Sequence, residues 1–255
     1  MKTIVIVPTY NEVDNIRPLA AGINLYAPEL HMLFVDDNSS DGTQSAIHEL
    51  QAKHPDRVFL IQRERKLGLG TAYVAAFKWG LGRGYEAFVE MDADLSHRPV
   101  DLVKILAALA EHPVVIGSRY MVGGGTENWS PARRLISRFG SFYSRLILRL
   151  KANDLTGGFN GWRREVLLAI GPETIRSEGY TFQVELKFRA HLAGYELREV
   201  PILFVERRAG HSKMSGQIVL EAIFRIWHLA WQRRRIRRQI DAHHAVESID
   251  RQSIG

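Results

Sequence analysis

The stretch EAFVEMDADLSHRPVDLVKILAALAEHPVVIGSR, residues 86–119, decides the fold. It begins as a short apolar run and passes through Asp92 and Asp94. It then takes the spacing of an amphipathic helix over 99–112, with a proline at the helix start. A second apolar run ends at Arg119. Strand, helix and strand in this order indicate one unit of a parallel sheet.

The same alternation extends back to the N-terminus. The predicted strands are 3–8, 31–37, 57–62, 86–91 and 113–119, and the predicted helices are 13–26, Ser40 or Asp41 to Lys53, 70–84 and 99–112. This pattern predicts an α/β fold with a mostly parallel, doubly wound sheet, and such sheets bind ligands at the carboxyl ends of their strands. The residues expected at that edge are 8–12, 36–37, 92–96 and Arg119.

Composition limits the protein class. The chain has 255 residues and 45% hydrophobic content, which suits one large domain or slightly more. It has no cysteine, which excludes disulfides and thiolate metal sites. The apolar run at residues 4–7 is too short for a signal peptide, and no stretch reaches the ~18 apolar residues of a spanning helix. We therefore expect a cytoplasmic protein.

A partial glycine motif does not indicate a dehydrogenase. The segment GLGTAY, residues 68–73, begins like a dinucleotide fingerprint, but Tyr73 stands where the third glycine belongs. The first predicted strand is also followed by PTYNE, not by a glycine turn. A Rossmann dehydrogenase is therefore disfavoured.

The paired carboxylates Asp92 and Asp94 permit two interpretations. At a strand end they form a compact oxygen site for Mg²⁺ or Mn²⁺, cations that take few protein ligands and complete their shell with substrate phosphates. Alternatively, Asp94 caps the following helix or forms a turn. Asp37, within DDNSSDG, is equally compatible with a turn.

Several motifs together resemble a known family. They are VIVPTYNE (5–12), VDDNSSDGT (35–43), MDADLSHRP (91–99), GSRY (117–120), DLTGGFNGWRREVL (154–167), EGYTFQVEL (178–186) and RRAGHSK (207–213). In order and spacing they resemble the inverting GT-A glycosyltransferases, closest to the dolichol-phosphate or polyprenol-phosphate mannose synthases that lack transmembrane helices. The resemblance covers Thr3 to about Lys213. It implies a GT-A, Rossmann-like sheet flanked by helices, and a metal-dependent inverting transfer of mannose from GDP-mannose to a polyprenyl or dolichyl phosphate.

The resemblance also implies roles for individual residues. The nucleotide-sugar site would comprise Pro8, Tyr10, Glu12, Val35, Asp37, Asp92, Ala93, Asp94, Arg207 and Lys213. The family often has a glutamine ligand two residues after the second aspartate; here Ser96 takes that place, so Asp94 and Ser96 are the expected metal ligands for Mg²⁺ or Mn²⁺. Arg207 and Lys213 match the pair that clamps the donor diphosphate, although alone their segment is typical of a solvated basic loop.

The expected acceptor is already anionic. A lipid monophosphate needs no strong general base, and the sequence contains no obvious Ser-His-Asp or Cys-His arrangement. Guanidinium groups suit phosphate, so Arg119, Arg133 and Ser137 are expected at the acceptor phosphate, with Arg134 as an alternative to Arg133. Asp92, Asp94, Arg119, Arg207 and Lys213 are the expected catalytic residues. His97 is expected either to support the site or to act as base for a hydroxyl acceptor.

The basic segments predict attachment to a membrane surface. Residues 133–150 interleave apolar and arginine residues after a Ser130–Pro131 start. The segment 217–238 is an amphipathic helix whose apolar part is too short to span a bilayer, and it ends in RRRIRR at 233–238. We therefore predict a catalytic domain at 1–216, an interfacial helix at 217–238 and a flexible tail at 239–255. The alternative is that both basic helices pack on the domain or on a second subunit.

Three functions remain in competition. The first is a lipid-phosphate mannosyltransferase, peripheral on the cytoplasmic face of a membrane. The second is a related transferase that uses another nucleotide sugar, such as UDP-glucose, or a non-lipid hydroxyl acceptor. The third is a nucleic-acid-binding protein, which the net charge of +6 permits. The strand-end carboxylates would repel nucleic-acid phosphate, so we expect no nucleic-acid partner.

Overall fold

A computed structural model describes residues 1–206 and 216–253, with side chains over 1–206 and 223–243. The strands are β1 (Thr3–Thr9), β2 (His31–Asp36), β3 (Val58–Gln62), β4 (Ala87–Glu90), β5 (Val114–Ser118), β6 (Gly125–Glu127), β7 (Asn160–Arg163), β8 (Arg198–Pro201) and β9 (Leu203–Val205). The helices are α1 (Val13–Tyr26), α2 (Thr43–Lys53), α3 (Leu69–Leu81), α4 (Leu102–Leu109), α5 (Pro131–Leu148), α6 (Arg164–Ile170), α7 (Gly179–Leu192), α8 (Gly216–Trp231) and α9 (Arg233–Ser253). Short 3-10 helices lie at Pro99–Asp101 and Pro172–Thr174.

The main sheet confirms the expected α/β fold. Its seven strands run in the order β3-β2-β1-β4-β7-β5-β8, and every neighbouring pair is parallel except the two that involve β7. Because side chains alternate along a strand, β1 sends Val5 and Val7 to one face and Ile4 and Ile6 to the other. The first face packs on α1, α2 and α4, and the second on α3, α6 and α7. Helices on both faces explain the continuous apolar runs of these strands.

Strand β7 was not predicted from the sequence. It lies between β4 and β5, antiparallel to both, with Gly161 opposite Val89 and Val115. A Cβ on Gly161 would lie 2.6 Å from Leu109 Cδ1, so the close approach of β7 to α4 requires glycine. The sequence NGWR has no alternating pattern because both faces of β7 are covered: Gly161 lies against Leu109 of α4, and Trp162 lies in the core cluster on the opposite face.

A small second sheet supports the catalytic edge of the first. Strands β6 and β9 are parallel, and Phe204 of β9 forms an isolated bridge with His97. The Val205 N–H also donates to the Ser96 carbonyl at 3.0 Å. The loop after β4 is therefore held from both sides, by its own strand and by β9.

The C-terminal segment differs from the prediction. The helix expected over 217–238 is interrupted at Gln232, and helix α9 continues to Ser253 through the region expected to be a tail. The physical reason is burial: Ile226 and Leu229 of α8, and Ile236 and Ile240 of α9, join a third core cluster with α7. No helix within 1–206 and 216–253 combines the length and apolarity needed to cross a bilayer.

Candidate active site at the strand edge

The loop after β4 holds Asp92 and Asp94 at the carboxyl edge of the sheet. Leu95 has a left-handed backbone (φ 62°), and the Ser96 N–H donates to Asp94 Oδ1 at 3.0 Å. The Ser96 hydroxyl is buried and has no hydrogen-bond partner among the described residues. An orphaned buried hydroxyl beside a carboxylate suits an oxygen-ligated cation. The two interpretations of Asp94, as a turn residue and as a metal ligand, are thus compatible. Its Oδ1 accepts the hydrogen bond of the turn, and its carboxylate has a second oxygen.

Few protein ligands are available for that cation. Among the described residues, no group of three or more His, Asp, Glu or Cys side chains is arranged to hold a metal. Asp94 and Ser96 would therefore supply the protein oxygens, and substrate phosphates would supply others, as Mg²⁺ and Mn²⁺ prefer.

His97 supports this loop. Its side chain is 1% exposed, stacks on Phe159 at 4.9 Å between ring centroids, and meets the ring of Phe204 edge-on. Its Nδ1 accepts the Asp92 backbone N–H at 3.1 Å, and burial lowers its pKa. A neutral imidazole with Nδ1 already occupied favours the supporting role over that of a general base.

Asp36 fixes the end of the edge where β1 and β2 finish. Its carboxylate accepts the Thr9 hydroxyl at 2.9 Å, the Ser39 N–H at 2.9 Å and the Gln44 amide at 2.6 Å. These contacts tie the end of β1 to the loop before α2. Asp36 was expected at this edge from its place at the end of β2, but no role in the site was predicted for it.

Asp37, expected in the nucleotide-sugar site or in a turn, has its carboxylate engaged by the protein itself. Its Oδ2 accepts the N–H groups of Leu67 and Gly68 at 3.2 and 3.3 Å, and its Oδ1 lies 3.0 Å from Arg63. Both partners of this ion pair are largely buried. The Asp37 carboxylate therefore fixes the loop before α3. A nucleobase bound beside Asp37 would also contact this loop.

Two predicted nucleotide contacts point into the core. Val35 is fully buried against the α3 side and Ala93 is 3% exposed on the opposite side, so each can offer a ligand only its backbone. Pro8 pairs with Val35 across β1 and β2 and is half-buried. Val35 is buried because helices cover both faces of the sheet, and Ala93, just after β4, packs into the cluster on the α1, α2 and α4 side.

Tyr10 and Glu12 follow β1 and remain accessible. Tyr10 is 41% exposed, and the Lys66 ammonium lies 3.7 Å from its ring centroid. Glu12 is half-buried, and its Oε2 accepts the Asn15 amide at 2.7 Å. An exposed aromatic ring beside an ammonium group offers both a stacking face and a cation to a nucleotide.

Arg119 is not a solvent-facing cation. Its guanidinium is bidentate to Asp154, with Nε to Oδ2 at 2.6 Å and Nη2 to Oδ1 at 2.7 Å, and both residues are buried. Burial alone would lower the pKa of Arg119, but the Asp154 carboxylate outweighs it and raises that pKa. The pair is nearly neutral, so the expected direct role of Arg119 in binding a phosphate is weakened. Asp154 was missed, although it opens the quoted motif DLTGGFNGWRREVL.

Arg133 and Ser137 lie one turn apart on α5. The Ser130 hydroxyl accepts the Arg133 N–H, which confirms the predicted helix start at Ser130–Pro131. The Arg133 guanidinium pairs with Glu206 and lies 4.3 Å from the Trp129 ring centroid. The Ser137 hydroxyl accepts the Tyr120 hydroxyl at 2.6 Å.

Arg119, Arg133 and Ser137 meet in one cleft of about 150 Å³. Asp92, His97, Thr156 and Gly158 line its polar end, which therefore adjoins the expected donor site. Its remaining wall is mainly apolar and comes from α5, α7 and α8: Ile136, Phe139, Tyr143, Val184, Ile223 and Ile226. Arg134 does not line it, and its Nε donates to Thr126 instead at 3.1 Å. The structure thus distinguishes the two arginines that the sequence left as alternatives.

A buried polar network holds the loop under this cleft. The Lys187 ammonium donates to the carbonyls of Leu155 and Gly157 at 3.1 and 2.7 Å. Glu90 of β4 accepts hydrogen bonds from Asn160 and Trp162 of β7 at 2.9 and 3.0 Å and from Gln183 of α7 at 3.1 Å. Burial raises the pKa of Glu90 to about 7 and lowers that of Lys187 to about 8. The sequence reasoning missed both residues.

Arg207 and Lys213 lie outside the described residues. The expected clamp on the donor diphosphate therefore stays a prediction.

Comparisons with known proteins agree on the type of enzyme. The family model of Glycosyl transferase family 2 matches residues 4–171. The polyprenol monophosphomannose synthase of Mycolicibacterium smegmatis is 45% identical over 226 residues, covering 88% of this chain and 85% of the relative. The undecaprenyl-phosphate mannosyltransferase of Micrococcus luteus is 45% identical over 242 residues, covering 93% and 99%.

Solved structures share the fold at low identity. A mannosyltransferase of Pyrobaculum calidifontis, in complex with GDP-Man and Mn²⁺, has a TM-score of 0.56 at 18% identity, covering 97% of this chain and 75% of that one. Glucosyl-3-phosphoglycerate synthase of Mycobacterium tuberculosis, in complex with Mn²⁺, UDP and phosphoglyceric acid, has a TM-score of 0.62 at 16% identity, covering 91% and 77%.

Proposed function

This chain belongs to Glycosyl transferase family 2, and we propose that it transfers a mannosyl residue from GDP-mannose to a polyprenyl monophosphate, of dolichyl or related type, with inversion. The product is a polyprenyl-phosphate mannose. One 45%-identical relative is named as a synthase of polyprenol monophosphomannose, and the other as a mannosyltransferase to undecaprenyl phosphate. Both names support this assignment.

The observation that carries the proposal is the cleft between α5, α7 and α8. Asp92 and Arg133 contribute charged groups to its lining, and Phe139, Val184 and Ile226 contribute apolar side chains. A ligand that matches it has an anionic head next to the sugar donor and an apolar chain extending away. A lipid phosphate has this composition, whereas a soluble hydroxyl acceptor gives no use to the apolar wall.

The site residues act by positioning and by charge. A phosphate oxygen of the acceptor attacks the anomeric carbon, and the bond from that carbon to GDP breaks with its electron pair on the departing diphosphate. No proton needs to be removed from the acceptor, so the occupied Nδ1 of His97 is no obstacle. Asp94 and Ser96 would hold Mg²⁺ or Mn²⁺, which supplies charge stabilisation to the leaving group. Arg207 and Lys213 are proposed to assist there.

Attachment to a membrane surface is part of the proposal. On α5, Leu135, Phe139, Phe142 and Leu146 recur at helical spacing and are 51–69% exposed. On α8, Phe224, Trp227 and Trp231 are 72%, 57% and 81% exposed. The two helices pack together, so these side chains form one apolar surface beside the acceptor cleft. Exposed apolar surfaces of this kind are typical of interfacial helices. We propose that this surface lies on the cytoplasmic face of the membrane.

The arginine cluster at 233–238 contributes less than the sequence suggests. Arg233 is half-buried, donates to the Leu148 carbonyl at 2.7 Å and lies 5.3 Å from the Phe188 ring centroid. The other four arginines of the cluster are exposed. Membrane attraction is therefore assigned mainly to the apolar surface of α5 and α8, with the exposed arginines adding electrostatic attraction.

The direct test is transfer itself. Purified protein is incubated with radiolabelled GDP-mannose, Mg²⁺ or Mn²⁺ and a polyprenyl phosphate, and the product is extracted into organic solvent. UDP-glucose replaces GDP-mannose in a parallel reaction, and the free polyprenol replaces its phosphate in another. We expect label in the organic phase only with GDP-mannose and the phosphate. Transfer from UDP-glucose but not from GDP-mannose would reject the proposed donor. Transfer to the free polyprenol would reject the proposed acceptor.

A further inference from the structure

A second cleft lies on the other side of α8 from the acceptor cleft. It has a volume of about 470 Å³ and is bounded by the 173–177 segment, α7, α8 and α9. Four arginines and two glutamates line it: Arg176, Arg189, Arg225, Arg235, Glu173 and Glu185. The remaining lining is mostly polar and includes Ser177, His228, Gln232 and Gln239.

Both acidic groups of this cleft have hydrogen-bonding or charged neighbours, and one of them, Glu185, is paired with an arginine. Glu185 accepts from Arg189 at 2.8 Å and also from the Ser177 hydroxyl, and Arg189 in turn donates to Thr174 at 2.7 Å. Glu173 lies 3.1 Å from His243. The floor is therefore a fixed, internally paired network. The positive charge of Arg176 and Arg235, both exposed at the rim, is not cancelled by these acids.

The cleft also borders the exposed aromatic side chains of α8. Each exposed aromatic residue of α8 is followed directly in the sequence by a residue that lines the cleft. The aromatic residues are Phe224, Trp227 and Trp231, and the lining residues are Arg225, His228 and Gln232. Neighbouring residues on a helix point about 100° apart, so the cleft lies next to the aromatic face and not opposite it. If that face contacts a bilayer, the cleft lies at the depth of the lipid headgroups.

We propose that this cleft is a second phosphate-binding site, which takes the headgroup phosphate of an anionic membrane lipid between Arg176 and Arg235. The lipid source rests on the proposed membrane attachment, whereas the phosphate chemistry rests on the arginines alone. A guanidinium group can donate two parallel hydrogen bonds to the oxygens of one phosphate. The polar side chains that line the cleft can bind the hydroxyl groups of a headgroup. A headgroup bound here would hold α8, the helix that also walls the acceptor cleft.

The test uses the full chain and a soluble probe, dihexanoyl phosphatidylglycerol below its micellar concentration, titrated by calorimetry. Arg176→Gln and Arg235→Gln each remove one rim charge. Arg234→Gln and Arg237→Gln are matched controls, because both are exposed arginines of α9 that do not line the cleft. We expect the two rim variants to bind the probe about tenfold more weakly, as for one lost charge-assisted contact, and the controls to bind like the wild type.

Other phosphate sites of the enzyme contribute equally to all variants, so the difference between rim and control variants is the readout. Absence of that difference, or of saturable binding, would overturn the proposal. Equal affinity for inorganic phosphate would assign the cleft to free phosphate and overturn the lipid source. Transfer to a short, water-soluble polyprenyl phosphate should be unchanged in all four variants. If the wild type performs no such transfer, the proposed function fails while the binding result still stands.

Discussion

Arg133 is the cation that the structure favours for the acceptor phosphate, and its replacement gives the sharpest test of the acceptor cleft. Arg119 is bidentate to buried Asp154, whereas Arg133 pairs with Glu206, whose side chain is 37% exposed. A phosphate can displace a partly exposed carboxylate far more easily than a buried one. We expect Arg133→Gln to raise the KM for polyprenyl phosphate and to leave donor affinity nearly unchanged.

The magnitude follows from two opposing terms. Loss of a charge-assisted hydrogen bond to the phosphate costs about 1.5–3 kcal/mol. The wild type must first release Glu206, and a pair this exposed is worth about 0.2–1 kcal/mol. The net loss is about 0.5–3 kcal/mol, or a rise in KM of roughly twofold to a hundredfold. For the same reason, Glu206→Gln should lower the KM by up to about fivefold, since Arg133 is then released at no cost.

The assay varies polyprenyl phosphate at saturating GDP-mannose and measures donor binding separately by calorimetry. Arg134→Gln is the matched control, because it removes the same charge from the next position of α5 without touching the cleft. Equal effects of the two substitutions would mean that only the overall charge of α5 matters. A higher KM in Glu206→Gln would refute the competition between Glu206 and the phosphate.

Four further outcomes are expected. Asp94→Ala should abolish transfer and metal-dependent donor binding but lower the melting temperature only slightly, since the fold loses one hydrogen bond, from the Ser96 N–H. Normal turnover at saturating donor would reject Asp94 as a metal ligand. Arg119→Ala should destabilise the fold by about 3–5 kcal/mol in urea unfolding, because it leaves the Asp154 carboxylate buried without its arginine. A variant with unchanged stability and only a raised KM for polyprenyl phosphate would instead indicate that Arg119 binds the phosphate. Burial raises the pKa of the Asp154 carboxyl, but the Arg119 guanidinium lowers it by more, so the folded-state pKa lies below the unfolded value of about 4. The ionised pair therefore stabilises the fold above about pH 4, and this contribution disappears as the pH falls through the lower folded value. Asp154→Asn should remove this pH dependence from the unfolding curves. Trp227→Ser should reduce sedimentation with anionic liposomes more than Lys78→Ser, a lysine of α3, and equal losses would place the membrane contact elsewhere.

The sequence alone was sufficient for the architecture of the catalytic half. Apolar runs and helical periodicity are local properties, and they located β1 to β5 and the helices between them to within a few residues. The same reasoning brought Asp92 and Asp94 to the carboxyl edge, because parallel strands must end there together. Motif spacing identified the family before any contact was known.

The tertiary structure alone decided which of the candidate side chains are available to a ligand. Arg119 is paired with Asp154, 35 residues away, and Asp37 with Arg63, 26 residues away. A residue type indicates what a side chain can bind, but its actual partner depends on segments that meet only after folding. The sequence likewise predicted that 217–238 is helical and amphipathic, but it did not predict the interruption of the helix at Gln232. Only packing could determine that one face of this segment, through Ile226 and Ile236, completes a core, since an apolar stripe has the same sequence pattern whether it meets a protein or a bilayer.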